Sequence, residues 1–406
     1  MNYGELNPAP ENRVEFGFKG KREHVITPNT PNISYPGQTL KIVIPKGSSD
    51  VTIVKETLNI TAKVPITSKD KSASLVQNFG RNVCKKRMLQ LGSNDFNNLD
   101  NSDKYYTYSD LHLGKNERKN CIPQGIQSNQ GLQARAGATK KTDGTTAISF
   151  TAEENAIKKT LEDRFEIPLD FDFFKQSICP YGLKEDLAVT IELNSAAKVL
   201  IATDDTNATY NLSDISLEYD VIIDEDYAKE VCAQYNYMSI PYTRITNALS
   251  TIKPKNHKKW EFDICQPSHS LQGILVLFKE RGLDFNHKTE KYYNPTIEKV
   301  SIMIDGSPHQ LYRGGLLSRD TFPEIKKYYK GDVNLGEFVT TKFALWIDMR
   351  SSISNTLHGT GRRVKGNIQL QIEKVEETSG DLDSYIFVMQ DALINIQDGR
   401  VKNIEK

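Results

Sequence analysis

The hydrophobic pattern of the chain predicts an all-β fold, a sandwich or a barrel. Three observations carry this expectation. Apolar residues recur at every second position in segment after segment. Clusters of Gly, Pro, Asn and Asp, such as PKGSSD at 45–50, separate those segments, and helical patterning is confined to a few short stretches. Strict alternation places one face of a sheet in a core and leaves the other wetter, which is the antiparallel signature and argues against βαβ units.

In chain order, Leu40, Ile42 and Ile44 alternate with polar neighbours in TLKIVIP. NFGRNVCKKRMLQLGSN (78–94) reads as a strand entering a Gly-Ser-Asn turn. Residues 114–148 are rich in Gly, Gln, Thr and Asn without periodicity, which predicts a loop too long to be a mere connection, mobile or engaged with a neighbour. Thr151 to Glu154 form a capping box, and Ile157 and Leu161 follow at helical spacing, so a helix is expected over 152–164. In FEIPLDFDFF (165–174), the alternating Phe165, Ile167, Leu169, Phe171 and Phe173 read as core and not as an aromatic ligand box. Leu187, Val189, Ile191 and Leu193 make the next strand. LSDISLEYDVIIDED (212–226) then closes the first half with a strand, and DEDYAKEVCAQY (224–235) follows as a helix with acids in its first turn.

The second half repeats this outline. Trp260, Phe262 and Ile264 alternate, GILVLF (273–278) is a continuous apolar run expected to be covered on both faces, and Val300, Ile302 and Ile304 alternate again. FPEIKKYY (322–329) predicts a helix with Pro at its first position. Phe343, Leu345, Ile347 and Met349 alternate with Ala344, Trp346, Asp348 and Arg350, predicting a strand over 343–350. NIQLQIEK supplies another through Ile368, Leu370 and Ile372, and SYIFVMQDALINIQDGRV (384–401) closes this half as LSDISLEYDVIIDED closes the first. A division into 1–224 and 225–406, joined near Asp224, fits a domain size of roughly 100–200 residues.

Lys plus Arg equals Asp plus Glu, 52 each in 406 residues, so no whole-chain field favours nucleic acid or membrane. Cys84, Cys121, Cys179, Cys232 and Cys265 are scattered with no C-x-x-C, which points to a reducing compartment and mostly buried thiols. The opening residues lack a signal-peptide layout, and no run reaches the ~18 apolar residues of a membrane span. The N-x-S/T sites at Asn32, Asn59, Asn207 and Asn211 then have no secretory route and read as chance Asn-rich loops.

The stretch FALWIDMRSSISNTLHGTGRR (343–363) holds the residue types of a hydrolase triad and of a phosphate loop. A nucleophile, however, needs a base in hydrogen-bond reach and a third group to orient it. Asp348, Ser352 and His358 would have to meet within one loop. No G-x-S-x-G elbow is present, and the Gly-x-Gly at 359–361 does not open a helix. A turn between two strands is the better reading. The seven His form no H-x-x-x-H, and Asp204–Asp205 or Asp381 with Asp383 lack the spacing of a calcium loop, so neither metal nor cofactor is expected. Two basic runs, Lys19 to Arg22 and KPKNHKK (253–259), read as solvated loops without an aromatic platform, with a weak genome contact left open.

ALWIDMRSSISNTLHGTGRR followed by the IQLQIEK strand resembles the C-terminal region of major capsid proteins of Polinton (Maverick) elements and the related adintoviruses. FEIPLDFDFF followed by LAVTIEL is similar to the matching segment of double jelly-roll capsid proteins of large DNA viruses and virophages. The resemblance implies two tandem eight-stranded jelly rolls with a few short helices in the connections. It further implies homotrimeric, pseudo-hexagonal capsomers of an icosahedral capsid, contacts between capsomers, and penton and minor capsid proteins as partners. The place of action would be the virion capsid, assembled inside the host cell, with no catalytic residue. Trp346, Arg350, His358, Arg362 and Arg363 are the assembly candidates: their hairpin either braces one barrel or touches a neighbour, or is a locally satisfied turn. The rival readings are a jelly-roll carbohydrate-binding or attachment protein, a β-sandwich hydrolase using Asp348 and His358, and a single-barrel penton-like protein, against which the length argues.

Overall fold

The structure, a computed structural model, describes residues 19–70, 73–136, 150–202, 205–281, 289–309, 316–329, 331–351 and 359–405. The first half has eight principal strands: Lys21–Pro28, Thr39–Val43, Asn59–Lys63, Cys84–Leu91, Asn94–Asp100, Arg164–Pro168, Leu187–Leu193 and Ser213–Ile223. Counted in that order they pair antiparallel into two sheets, 1-8-3-6 and 2-7-4-5. The second half has Tyr237–Lys253, Lys259–Ile264, Ser268–Glu280, Ile297–Ile304, Ser307–Pro308, Leu345–Asp348, Ile368–Lys374 and Leu382–Gln397. Its sheets carry the same orders, 1-8-3-6 and 2-7-4-5, with Arg362–Val364, Arg400–Glu405 and Leu316–Leu317 added at their margins. Two jelly rolls in tandem are the result, each a pair of packed sheets joined mostly by long connections. A second complete set of strands rules out the single-barrel alternative.

Alternation places the side chains as the sequence requires. Leu40 and Ile42 are buried while Lys41 and Val43 are exposed, and Trp260, Phe262 and Ile264 point inward from a strand whose other residues are exposed. Residues 273–278 are buried throughout, and their strand lies between Leu382–Gln397 and Leu345–Asp348 inside the six-stranded sheet. Each such side chain contributes about 1.5–3 kcal/mol by leaving water. The cores do not divide where the strand sets do. Met238, Ile240, Tyr242, Ala392, Ile394 and Ile396, from the long first and eighth strands of the second set, pack into the first core. Leu99, Tyr105, Tyr106, Tyr108 and Leu111 of the first half pack into the second.

Several local expectations are corrected. The capping box at Thr151 and Glu154 forms in both directions, at 3.1 and 2.9 Å, but the helix is Ala152–Leu161, because Glu162 turns to a φ of 51° and Arg164 enters a strand. The linker helix is Glu225–Gln234, with the Asp224 carboxylate accepting from the amides of Asp226 and Tyr227. The third helix, Ser318–Tyr329, begins four residues before Phe322, so Pro323 lies inside it and sacrifices one backbone bond. Residues 79–82 are a helical turn ahead of the strand. The 114–148 stretch, expected as a loop, holds helices Lys115–Asn120 and Asn129–Ala136, the latter burying Leu132 and Ala134; residues 137–149 lie outside the described residues. The strand expected at 343–350 spans only Leu345–Asp348, and Ala344 and Trp346 are as buried as their alternate neighbours.

Candidate assembly site

The connections between the fifth and sixth strands of the two barrels meet. In the first barrel this connection opens with helix Ser102–Asp110, held at its start by the Ser102 hydroxyl donating to the Cys84 carbonyl at 2.7 Å and by Asn194 Nδ2 donating to the Asp103 carboxylate at 3.1 Å. The helix then presents Tyr105, Tyr106 and Tyr108 to the second barrel. Tyr108 packs edge-on against Tyr292 with ring centroids 4.9 Å apart, and Tyr105 lies 5.5 Å from Phe387. Tyr108 donates to the Lys342 carbonyl at 3.2 Å, and Tyr292 donates to the Lys104 carbonyl at 2.9 Å, so each barrel holds the other's backbone. Arg118 adds a bidentate contact to Glu290 at 3.0 Å. Aromatic pairs of this geometry add about 0.5–1.5 kcal/mol each beyond their area.

Two of the five assembly candidates belong to this seam. Trp346 is fully buried and stacks on Tyr328 at 4.1 Å. Arg350, its side chain 2% exposed, grips Asp348 through Nε at 3.0 Å and Nη2 at 2.6 Å and lies over the Tyr328 ring. Asp348 is therefore committed to Arg350. Arg362 and Arg363 sit elsewhere, on the short strand Arg362–Val364 beside Ser268–Glu280, Arg362 half-buried and Arg363 exposed. His358 and Ser352 lie outside the described residues.

The Gly-x-Gly segment is a tied turn. The Gly359 amide donates to the Asp391 carboxylate at 2.9 Å and the Gly361 amide to the Ser270 hydroxyl at 2.9 Å, while Ser270 and Gln272 both donate to Asp391. Ser351 donates twice to the Thr360 carbonyl, closing the loop. A phosphate loop would need these amides for its ligand; here buried protein oxygens hold them.

Acids meet part of each basic run. Arg22 pairs with Asp220, His24 Nδ1 lies 2.9 Å from Asp220, and Lys21 pairs with Glu23. In the second run Lys253 donates to the Glu261 carbonyl at 2.8 Å and covers the Phe262 ring, and Lys259 lies 3.5 Å from Glu261. Among the described residues no group of three or more His, Cys, Asp or Glu could hold a metal ion, and no helix is long and apolar enough to cross a membrane.

Sequence reasoning missed the tyrosine seam. Its signal was present as three tyrosine runs, KYYTY (104–108), KYY (291–293) and KKYY (326–329), the last inside the predicted helix, but periodicity within one element does not report that the runs meet. His112 belongs to the same seam, stacked on Tyr329 at 4.4 Å with Nε2 unpartnered among the described residues. Burial, with Lys342 adding repulsion, pushes its imidazole down to about 4. The unfolded chain protonates near pH 6.5, where the folded protein does not. Stability linked to His112 is thus complete above about pH 6.5 and is lost as pH falls toward 4, up to about 3 kcal/mol. Urea midpoints measured at pH 7 and pH 4.5 should show this loss in the wild type and a smaller one in His112→Phe; equal losses would remove His112 as the source.

No family model and no curated protein matches the chain. Solved structures do. PBCV-1 VP54, in a crystal structure fitted into a reconstruction of the virophage Sputnik, aligns with a TM-score of 0.62 at 11% identity, over 98% of this chain and 99% of that one. The Faustovirus major capsid protein aligns at 0.58 and 8% identity, over 95% and 92% of the two chains. The mavirus major capsid protein aligns at 0.55 and 10% identity, over 100% and 94%. At these identities the likeness establishes the fold, and its full length takes in both barrels together.

Proposed function

We propose that this chain is the major capsid protein of an icosahedral DNA virus or virus-like element, and that its work is assembly. The observation that carries the reading is the full-length likeness, both barrels at once, to structures of viral major capsid proteins. The shared seam supports it, since a building block under load from its neighbours needs its two barrels fixed to one another. Within this class the 343–374 motif favours the Polinton and adintovirus branch. We assign a homotrimeric capsomer, further contacts between capsomers and with penton and minor capsid proteins, a place in the virion after assembly inside the host cell, and no chemical step. We take 1–224 and 225–406 as the two units, joined near Asp224. Genome contact is left out of the proposal, because neither basic run carries an aromatic platform and Lys21, Arg22 and Lys259 already lie beside carboxylates.

The test is mass in solution. A trimer near three times 45.9 kDa, or larger shells, is the expected outcome; a strict monomer over a wide concentration range would overturn the reading. The candidate residues then divide. We take buried Trp346 and Arg350 to brace the protomer, and exposed Arg363 to reach a neighbour. Arg363→Glu should lower the trimer or shell yield while leaving protomer stability within about 0.5 kcal/mol, as for surface substitutions. Unchanged assembly by light scattering would withdraw Arg363 from the interface.

A further inference from the structure

All five cysteines are free thiols, and two of them meet. Cys179 precedes the turn Pro180–Gly182, between the sixth and seventh strands of the first barrel, and Cys232 lies in the last turn of the linker helix Glu225–Gln234. Their sulfurs stand 2.8 Å apart across 53 residues of sequence. The surrounding backbone is pinned. The Cys179 amide donates to the Tyr235 hydroxyl at 3.0 Å, the Gly399 amide donates to the Tyr235 carbonyl at 3.1 Å, and Lys184 donates to the Gly399 carbonyl at 2.9 Å. Gly182 presses so closely on the helix that a Cβ there would lie 2.6 Å from Cys232 Sγ.

We propose that Cys179 and Cys232 are an oxidisable pair that closes into an intramolecular disulfide and staples the linker helix to the first barrel. Disulfide sulfurs bond at about 2.05 Å, so the pair closes by less than about 1 Å. The oxidant assigned is a low-molecular-weight disulfide. Cys232 is half-buried and Cys179 fully buried, so Cys232 reacts first. Its thiol yields a proton to solvent, and the thiolate attacks one sulfur of the small disulfide, expelling a small thiolate. The Cys179 thiolate, its proton likewise released, then attacks Cys232 Sγ and expels the second. Two protein thiols and one small disulfide thus become one protein disulfide and two small thiols. Burial and the neighbouring Cys179 push the Cys232 thiol up to about 12, so thiolate is scarce at neutral pH and the reaction is slow there. The chain remains reduced where thiols are maintained and cross-links on longer exposure to oxidant.

The experiment treats the full-length protein with oxidised glutathione at pH 7 and pH 8, quenches with acid, alkylates, and maps peptides by mass spectrometry without reduction. The expected result is a joined Cys179–Cys232 peptide pair lacking two hydrogens. It should form about tenfold faster at the higher pH, since below its pKa the thiolate fraction rises tenfold per unit. The thermal midpoint should rise by roughly 3–8 °C, reversibly with dithiothreitol. Cys179→Ser should stall as a stable glutathione adduct at Cys232, and Cys232→Ser should leave Cys179 unmodified. Both cysteines remaining alkylatable, or a lasting glutathione adduct at Cys232 in the wild type, would overturn the proposal.

Discussion

Truncating Trp346 to alanine is expected to destabilise the protein by about 3–5 kcal/mol, the range for emptying a large aromatic site in a core. The indole is fully buried, stacked on Tyr328 and laid over Gly273, the glycine that opens the GILVLF run. A Cβ on Gly273 would lie 2.5 Å from Trp346 Cζ2 and 2.8 Å from the Ile347 carbonyl oxygen. Gly273→Ala should therefore cost about 1–3 kcal/mol by overpacking. The two effects are coupled through one contact. Trp346→Leu should cost less in the Gly273→Ala background than alone, because the smaller side chain vacates the space the new methyl needs, giving an interaction energy of about 1 kcal/mol or more in a double-mutant cycle. Trp346→Phe should cost least, since it fills most of the volume and removes an indole N–H that has no partner among the described residues. Urea unfolding followed by circular dichroism measures all five variants, and strict additivity in the cycle would show that the glycine is not there to admit the indole.

Gly273 also marks how far the sequence reaches. Strands with one wet face were legible residue by residue: Leu40 and Ile42, Trp260 to Ile264, and Ile368 to Ile372 are all buried where alternation puts them. Local capping chemistry was equally readable at Thr151 and Glu154, which make the two bonds their positions imply. What alternation could not show was any element whose environment comes from the other barrel. Helix Ser102–Asp110 buries all but one of its residues, so it has no amphipathic period to detect. Leu345–Asp348 has Leu345 and Ile347 in the core and packs Trp346 on Tyr328 of helix Ser318–Tyr329, so the predicted alternation in burial is absent. Helix Leu335–Thr340 was missed despite a capping box between Asn334 and Glu337, because only one buried residue, Phe338, marks its inner side. Of the candidate residues, Trp346 and Arg350 are buried against Tyr328, a contact between a helix and a strand that composition does not report.

The second large effect is expected where the first barrel grips the seam. Arg81 and Asp110 are both buried, with side chains 7% and 5% exposed, and are joined through Nε at 2.9 Å and Nη2 at 3.3 Å. Asn78 Nδ2 also donates to Asp110, Asp170 pairs with Arg81, and the guanidinium lies over Tyr106. Burial works against the Arg81 charge, but Asp110 and Asp170 more than restore it, so it is held cationic. Arg81→Met should cost about 3–5 kcal/mol at neutral pH, since it strands a buried carboxylate. The double variant Arg81→Met/Asp110→Leu should lose less than either single change, because no uncompensated ion remains. Both tryptophans, Trp260 and Trp346, lie in the second barrel, so fluorescence follows that barrel while circular dichroism follows both. In the wild type the two unfolding curves should coincide, the barrels being locked through the tyrosines that helix Ser102–Asp110 carries. In Arg81→Met the dichroism curve should shift first and the fluorescence curve lag behind it. Coincident curves in the variant would mean that the barrels unfold as one body even when this grip is broken, and that the seam draws its strength from the aromatic contacts alone.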